Sequence, residues 1–130
     1  MKKLMLSLLV AFAFMVSLPI LGIAQPYYWT GGTPGSTNAV GGTGTWSVAN
    51  GFKTAATGGS NYTWSNSATN NAVLANTAGT VTYSGTLTAG TINVNTTGYV
   101  LQQSSSSNYV FTGNIVLANN VALKINLSYA

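Results

Sequence analysis

The side chains in this chain that could do polar chemistry are lysines, hydroxyls, amides and aromatic rings. Asp, Glu, His, Cys and Arg are all absent from its 130 residues. General acid–base catalysis needs a group that titrates near the working pH, most often imidazole or carboxyl. Zinc needs thiolate, imidazole or carboxylate, and calcium needs charged oxygens. Ser and Thr are abundant, but no base is present to take a hydroxyl proton and make a nucleophile. The composition therefore predicts a protein that is not an enzyme and has no metal and no cofactor. Lys2, Lys3, Lys53 and Lys124 carry all the side-chain charge. They are too scattered to displace counterions from a phosphate backbone, so nucleic acid is not an expected partner. Lys53 and Lys124, each without an acidic partner, read as solvated surface residues rather than as nucleophiles or anion hooks.

The aromatic residues of the N-terminal half offer a different chemistry. Trp29, Trp46, Trp64 and Tyr62, with Tyr27 and Tyr28 nearby, are candidates for stacking on sugar rings, with surrounding Asn, Thr and Ser to bond hydroxyls. Surface glycans are the partner class this implies. The competing reading gives the same rings to a small core, because a Gly-rich segment with few aliphatics needs large apolar side chains to bury enough surface. That packing reading is preferred. Asn61-Tyr62-Thr63, Asn95-Thr96-Thr97 and Asn126-Leu127-Ser128 match the N-glycosylation pattern, a match that Asn/Thr-rich sequence produces by chance.

The chain divides into segments that must position these groups. Residues 1–24 read as a secretory leader. Lys2-Lys3 is the basic start and Leu4 to Leu21 the apolar stretch. Gly22-Ile23-Ala24 is a small-x-small site that places cleavage between Ala24 and Gln25. An uncleaved anchor is the weaker alternative, and cleavage leaves no expected membrane span. Residues 25–79 are rich in Gly, Asn and Ser and contain all three tryptophans. Residues 80–130 are a run of short alternating segments: Val81/Tyr83, Ile92/Val94, Tyr99/Leu101, Tyr109/Phe111, Ile115/Leu117, then Val121, Leu123, Ile125 and Leu127. Alternation with period two puts each set on one face of a strand. Short breaks such as Ser84-Gly85 and Thr97-Gly98 separate the segments, and Gln102 to Asn108, with its serine run, reads as a surface loop. Helical periodicity is absent after Gln25, and β-branched residues favour strands.

The expected class is all-β. The segments repeat in character at roughly twenty-odd residues, as in a β-solenoid. A β-sandwich also places strands at short regular spacing, and periodicity fits both. The expected inward residues of a solenoid are Val81, Ile92, Val94, Leu101, Ile115, Leu117, Leu123 and Ile125.

Trp29-Thr30-Gly31-Gly32, Gly44-Thr45-Trp46-Ser47, Asn71-Ala72-Val73-Leu74, Gly79-Thr80-Val81-Thr82-Tyr83 and Gly98-Tyr99-Val100-Leu101 together resemble the N-terminal region of bacterial autotransporter-associated β-strand repeat proteins. The resemblance runs from about Trp29 to Leu123. The sequence departs from the family at Phe52, where an Asn-Trp pair is common, and at Leu74, where Phe is usual. The resemblance implies a right-handed parallel β-helix of three-sided layers, opened by an irregular Trp/Gly-rich cap over residues 25–79, with the first rungs over 80–130. It implies a secreted or bacterial cell-surface location, a structural or adhesive role, and no catalytic residues. Few charges and no proline protect the last rung, so self-association through an exposed C-terminal rung, or a fibre subunit, is a further expectation. A secreted carbohydrate-binding module is the alternative function.

Overall fold

The computed structural model describes residues 24–33, 35–47, 49–104 and 110–126. The expected leader up to Ile23, Tyr109, Leu127 and most of the serine run lie outside the described residues. The described chain is all-β. Its strands are β1 (Gln25–Trp29), β2 (Gly44–Thr45), β3 (Phe52–Lys53), β4 (Asn61–Tyr62), β5 (Ser67–Leu74), β6 (Thr80–Tyr83), β7 (Leu87–Val94), β8 (Tyr99–Gln103), β9 (Phe111–Leu117) and β10 (Leu123–Asn126). Among the described residues, no helix is long and apolar enough to cross a membrane.

The strands form two open sheets. One has six strands in the order β4-β3-β1-β5-β7-β9, and the other has four in the order β10-β8-β6-β2. From β5 onward successive strands alternate between the two sheets. Each then pairs in parallel with the strand two places further along: β5 with β7, β7 with β9, β6 with β8, and β8 with β10. Parallel β1–β5 and β2–β6 pairs carry the same pattern back to the start of the described chain. Among the named strands antiparallel pairing is confined to β1–β3 and β3–β4, and an isolated antiparallel bridge joins Asn38 to Thr57. Among the named strands, β3 and β4 are the one pair that is both adjacent in sequence and hydrogen-bonded.

The pairing registers place like on like. Tyr27, Ala72, Ile92 and Ile115 are successive partners across β1, β5, β7 and β9. Leu74, Val94 and Leu117 form the next column, and Val81, Leu101 and Ile125 a third in the other sheet. Parallel partners lie side by side, so a repeat in sequence becomes a column in space. The long strands carry register shifts between Ser67 and Asn71 and between Thr88 and Thr91. Along β7, Leu87 and Ala89 are buried, then the inward phase moves to Ile92 and Val94. Glycines sit at these breaks for a steric reason. A Cβ on Gly90 would press on the carbonyl of Ala68, and one on Gly113 would collide with the carbonyl of Ala89. Bulged strands bend where an extra residue has no partner.

The core follows the columns. Val81, Ile92, Val94 and Leu101 are buried as expected, and Ile115 and Leu123 pack against the same cluster while remaining partly exposed. Leu117 and Ile125 correct the expectation: they are 44% and 49% exposed. They have the right type and alternation for a core. They lie, however, in β9 and β10, the last strand at one edge of each sheet, and no further strand covers them among the described residues. The core also crosses the expected division at residue 79. Trp29, Trp46 and Phe52 belong to one buried cluster with Ile92, Val94 and Leu101, and β5 pairs with β7 across that point.

Candidate functional site

The short strands β1, β3 and β4 bring the aromatic side chains together. Trp29 faces Phe52 in the β1–β3 register, and Phe52 faces Tyr62 in the β3–β4 register. The rings then pack on one another. The Trp29 and Trp46 ring centres are 6.2 Å apart and nearly parallel. Phe52 lies 5.1 Å from Trp29, 5.0 Å from Trp46 and 4.9 Å from Trp64. Trp64 meets Trp46 edge-on at 5.1 Å. Offset and edge-on contacts at these distances are the favourable arrangements of aromatic quadrupoles. Trp29 and Trp46 are 1% and 2% exposed, so neither presents a face on which a sugar ring could stack. Their burial gives them the packing role.

Tyr62 and Trp64 are half-buried, and they too are engaged by the protein. Tyr62 stacks on Tyr27 at 3.8 Å. Its hydroxyl is 2.6 Å from Ser65 Oγ and accepts a hydrogen bond from Asn70 Nδ2 at 2.9 Å. The Trp64 indole N–H donates to the Thr88 carbonyl at 3.3 Å, which ties this cluster to β7. Burial pushes the Tyr27 phenol up, and the Tyr62 hydroxyl beside it adds to that. For Tyr62 burial acts in the same direction, but hydrogen bonds with Ser65, Tyr27 and Asn70 outweigh it and hold the phenol below its ordinary value. The four rings proposed from sequence for glycan stacking are thus brought into one neighbourhood, with their contacts directed largely inward.

Several buried polar groups are satisfied by backbone. Thr30 Oγ1 donates to the Gly51 carbonyl at 2.8 Å, and the Trp29 indole N–H to the Gly42 carbonyl at 2.8 Å. Tyr99 donates its hydroxyl to the Ala75 carbonyl at 2.7 Å. Burial pushes the Tyr99 phenol up to about 12, against a smaller opposing effect from the Gly42 backbone. The Trp46 indole N–H is buried without a hydrogen-bond partner.

Lys53 overturns its sequence reading. A solvated surface position was expected, yet the residue is 4% exposed. Strand β3 lies between β1 and β4, so the antiparallel corner covers it on both sides. Its ammonium donates to Asn61 Oδ1 at 2.7 Å. Lys124, in the edge strand β10, is exposed as expected. The sequence carried a weak signal for Lys53: it directly follows Phe52, a large apolar residue between turn glycines, which marks a short strand in an otherwise irregular stretch. Among the described residues no group of three or more potential metal ligands exists. Ala24 and Gln25 lie at the start of the described chain, and Gln25 is the first residue of β1, paired with Asn70. No family model, curated protein or solved structure matches this chain.

Proposed function

We propose that the chain is an exported, non-enzymatic β-helical surface protein of passenger type, or the N-terminal part of one, with a structural or adhesive role. The observation that carries this reading is the pair of parallel ladders. Strands that alternate between two sheets, each pairing with its counterpart about twenty to twenty-four residues later, are what a chain winding in successive layers produces. An antiparallel sandwich would pair sequence neighbours through hairpins, and β3–β4 is the one hairpin-like pair among the named strands. The register shifts in the β5–β7 and β7–β9 pairings interrupt each long strand near its middle. With the strand of the other sheet, such a break would give each layer the three sides that the proposed β-helix requires. The right-handed course and the resemblance to autotransporter-associated β-strand repeat proteins complete the proposal.

Export is supported by the leader pattern and by the position of β1. Cleavage after Ala24 would leave every paired residue of β1 in place. The absence of acids, His, Cys and Arg supports a role that rests on surface and shape rather than on chemistry. The test is to express the full chain with a C-terminal tag in a bacterium and follow both its processing and its adhesion. The expected product begins at Gln25, is recovered outside the inner membrane, and makes inert beads adhere to cell or glycan-coated surfaces. Retention in the cytoplasm with residues 1–24 attached, or beads that behave like uncoated ones, would overturn the reading.

Self-association is a second reading, favoured by one observation. Among the described residues β9 and β10 are edge strands, and Val116, Leu117 and Ile125 are about half exposed there. Unpaired edges with apolar flanks accept further strands. Sedimentation velocity over a hundredfold concentration range tests it: growth in size with concentration is expected, and a monomer throughout would overturn it.

A further inference from the structure

A lysine buried in a chain without Asp or Glu has no acidic side chain to pair with. Lys53 is 4% exposed, and the sequence contains no Asp or Glu. An ammonium carries three donors. Among the described residues Asn61 Oδ1 is its one hydrogen-bond acceptor, at 2.7 Å. Burying a charge is unfavourable unless it is paired and bonded, and a single protein acceptor leaves two ammonium donors for water or a ligand in the cleft.

That neighbourhood is an open cleft of about 400 Å³ on the antiparallel corner. Lys53 and its acceptor Asn61 both line it, as do Ser36, Thr37 and Ser60. The rest of the wall is glycine. Side chains added at Gly35 or Gly58 would meet nothing within 4 Å, so the wall around these turns is bare and the cleft stays accessible. Its lining therefore combines one buried positive charge with hydroxyl groups and no negative charge. This is the complement of an oxyanion carried on a hydroxylated molecule. Charge-assisted hydrogen bonds from an ammonium to carboxylate or sulfate are among the stronger polar contacts, and a cleft of this size accommodates a monosaccharide.

We propose that the Lys53 cleft binds an oxyanion, the carboxylate or sulfate group of an acidic saccharide. This inference does not depend on the β-helix reading, because the cleft is built by the antiparallel strands and turns of residues 35–61. It also differs from aromatic stacking, since no ring lines the cleft.

The test is a titration of the full chain, labelled with nitrogen-15, followed by amide NMR at constant ionic strength in chloride. Three probes are used: sodium sulfate, methyl glucuronide and the neutral methyl glucoside. Saturable shifts of the Gly35–Thr37 and Gly58–Asn61 amides, including the Asn61 side chain, are expected with glucuronide and sulfate. A response to sulfate alone supports an oxyanion site but overturns the saccharide as its source. Lys53→Met should weaken binding at least tenfold. Thr37→Glu places a carboxylate at the exposed rim and should compete with the ligand to a similar extent, and it tests the site even if Lys53→Met does not fold. Equal shifts with the neutral glucoside would overturn the proposal, and so would shifts that never saturate or that persist unchanged in the folded variants.

Discussion

The two ends of the paired sheets are built from different materials. At the β1 end, aromatic rings close the core: Trp29, Trp46 and Phe52 are all at or below 2% exposure, and antiparallel β3 and β4 extend the sheet beyond β1. At the β9–β10 end, aliphatic residues continue the internal columns to the last of the described strands. Leu74 and Val94 are fully buried, while Leu117, their partner in the next strand, is 44% exposed. Val81 and Leu101 are buried, and Ile125 is 49% exposed. The same residue type in the same register is core in one layer and surface in the next. Burial here is a property of the neighbouring strand, which the residue's own alternation does not encode.

The largest effect that would break this comparison is at the aromatic end. Trp46→Ala should destabilise the protein by about 3–5 kcal/mol, because its ring touches Trp29, Phe52 and Trp64 together. Trp46→Phe should cost far less, since the indole N–H that it removes has no hydrogen-bond partner. Equilibrium urea unfolding measures both. A Trp46→Ala variant as stable as the parent would mean that the aromatic cluster does not hold this end together.

The second prediction compares two residues of one column. Leu101→Ala should cost about 2–5 kcal/mol, as truncations of buried aliphatics do. Ile125→Ala, next in register, should cost less than about 1 kcal/mol, because half of its surface is already in water. Equal losses in urea unfolding would show that Ile125 is covered in solution, by another copy of the chain or by residues beyond those described. That outcome would remove the contrast between the ends.

These two ends also differ in how far the sequence discloses them. Alternation in Val81/Tyr83, Ile92/Val94 and Tyr99/Leu101 marks the inward faces directly, since period two and a buried face leave little freedom in register. The all-β class and four buried core positions, Val81, Ile92, Val94 and Leu101, follow from that. Leu117 and Ile125 carry the same local pattern, and whether a further strand covers them is a nonlocal fact. In the first half, strands of two residues such as β3 and β4 are too short to show any period. Phe52 was legible as a departure from the resembled family, and its place among three tryptophans was not. Lys53 misled for a related reason. A lysine's chemistry points to solvent, and only the packing of β3 between two strands puts it inside. The aromatic cluster could be read as core or as a binding platform, and the geometry places Trp29 and Trp46 in the core because their rings have no open face.

Tyr99 joins the two regions, and it offers the smallest and most specific test. It lies in β8, and its hydroxyl reaches the Ala75 carbonyl beyond β5. Burial raises its phenol from an ordinary 10.0 to about 12. The folded state therefore holds this proton more tightly than the unfolded chain does. The associated stability is complete below about pH 10 and is lost as the pH rises through about 12. Tyr99→Phe removes the hydrogen bond and should cost about 1 kcal/mol at pH 8. It also removes the titrating group, so the gap between parent and variant should close as the pH is raised from 10 towards 12. Tyr27 and Tyr83, whose phenols are also raised, are present in both proteins and cancel in the difference. Urea midpoints measured across this range decide the matter. A gap that stays constant to pH 12 would mean that the Tyr99 hydroxyl is not sequestered, and the packing that joins the aromatic end to the ladder would then be looser than its buried ring implies.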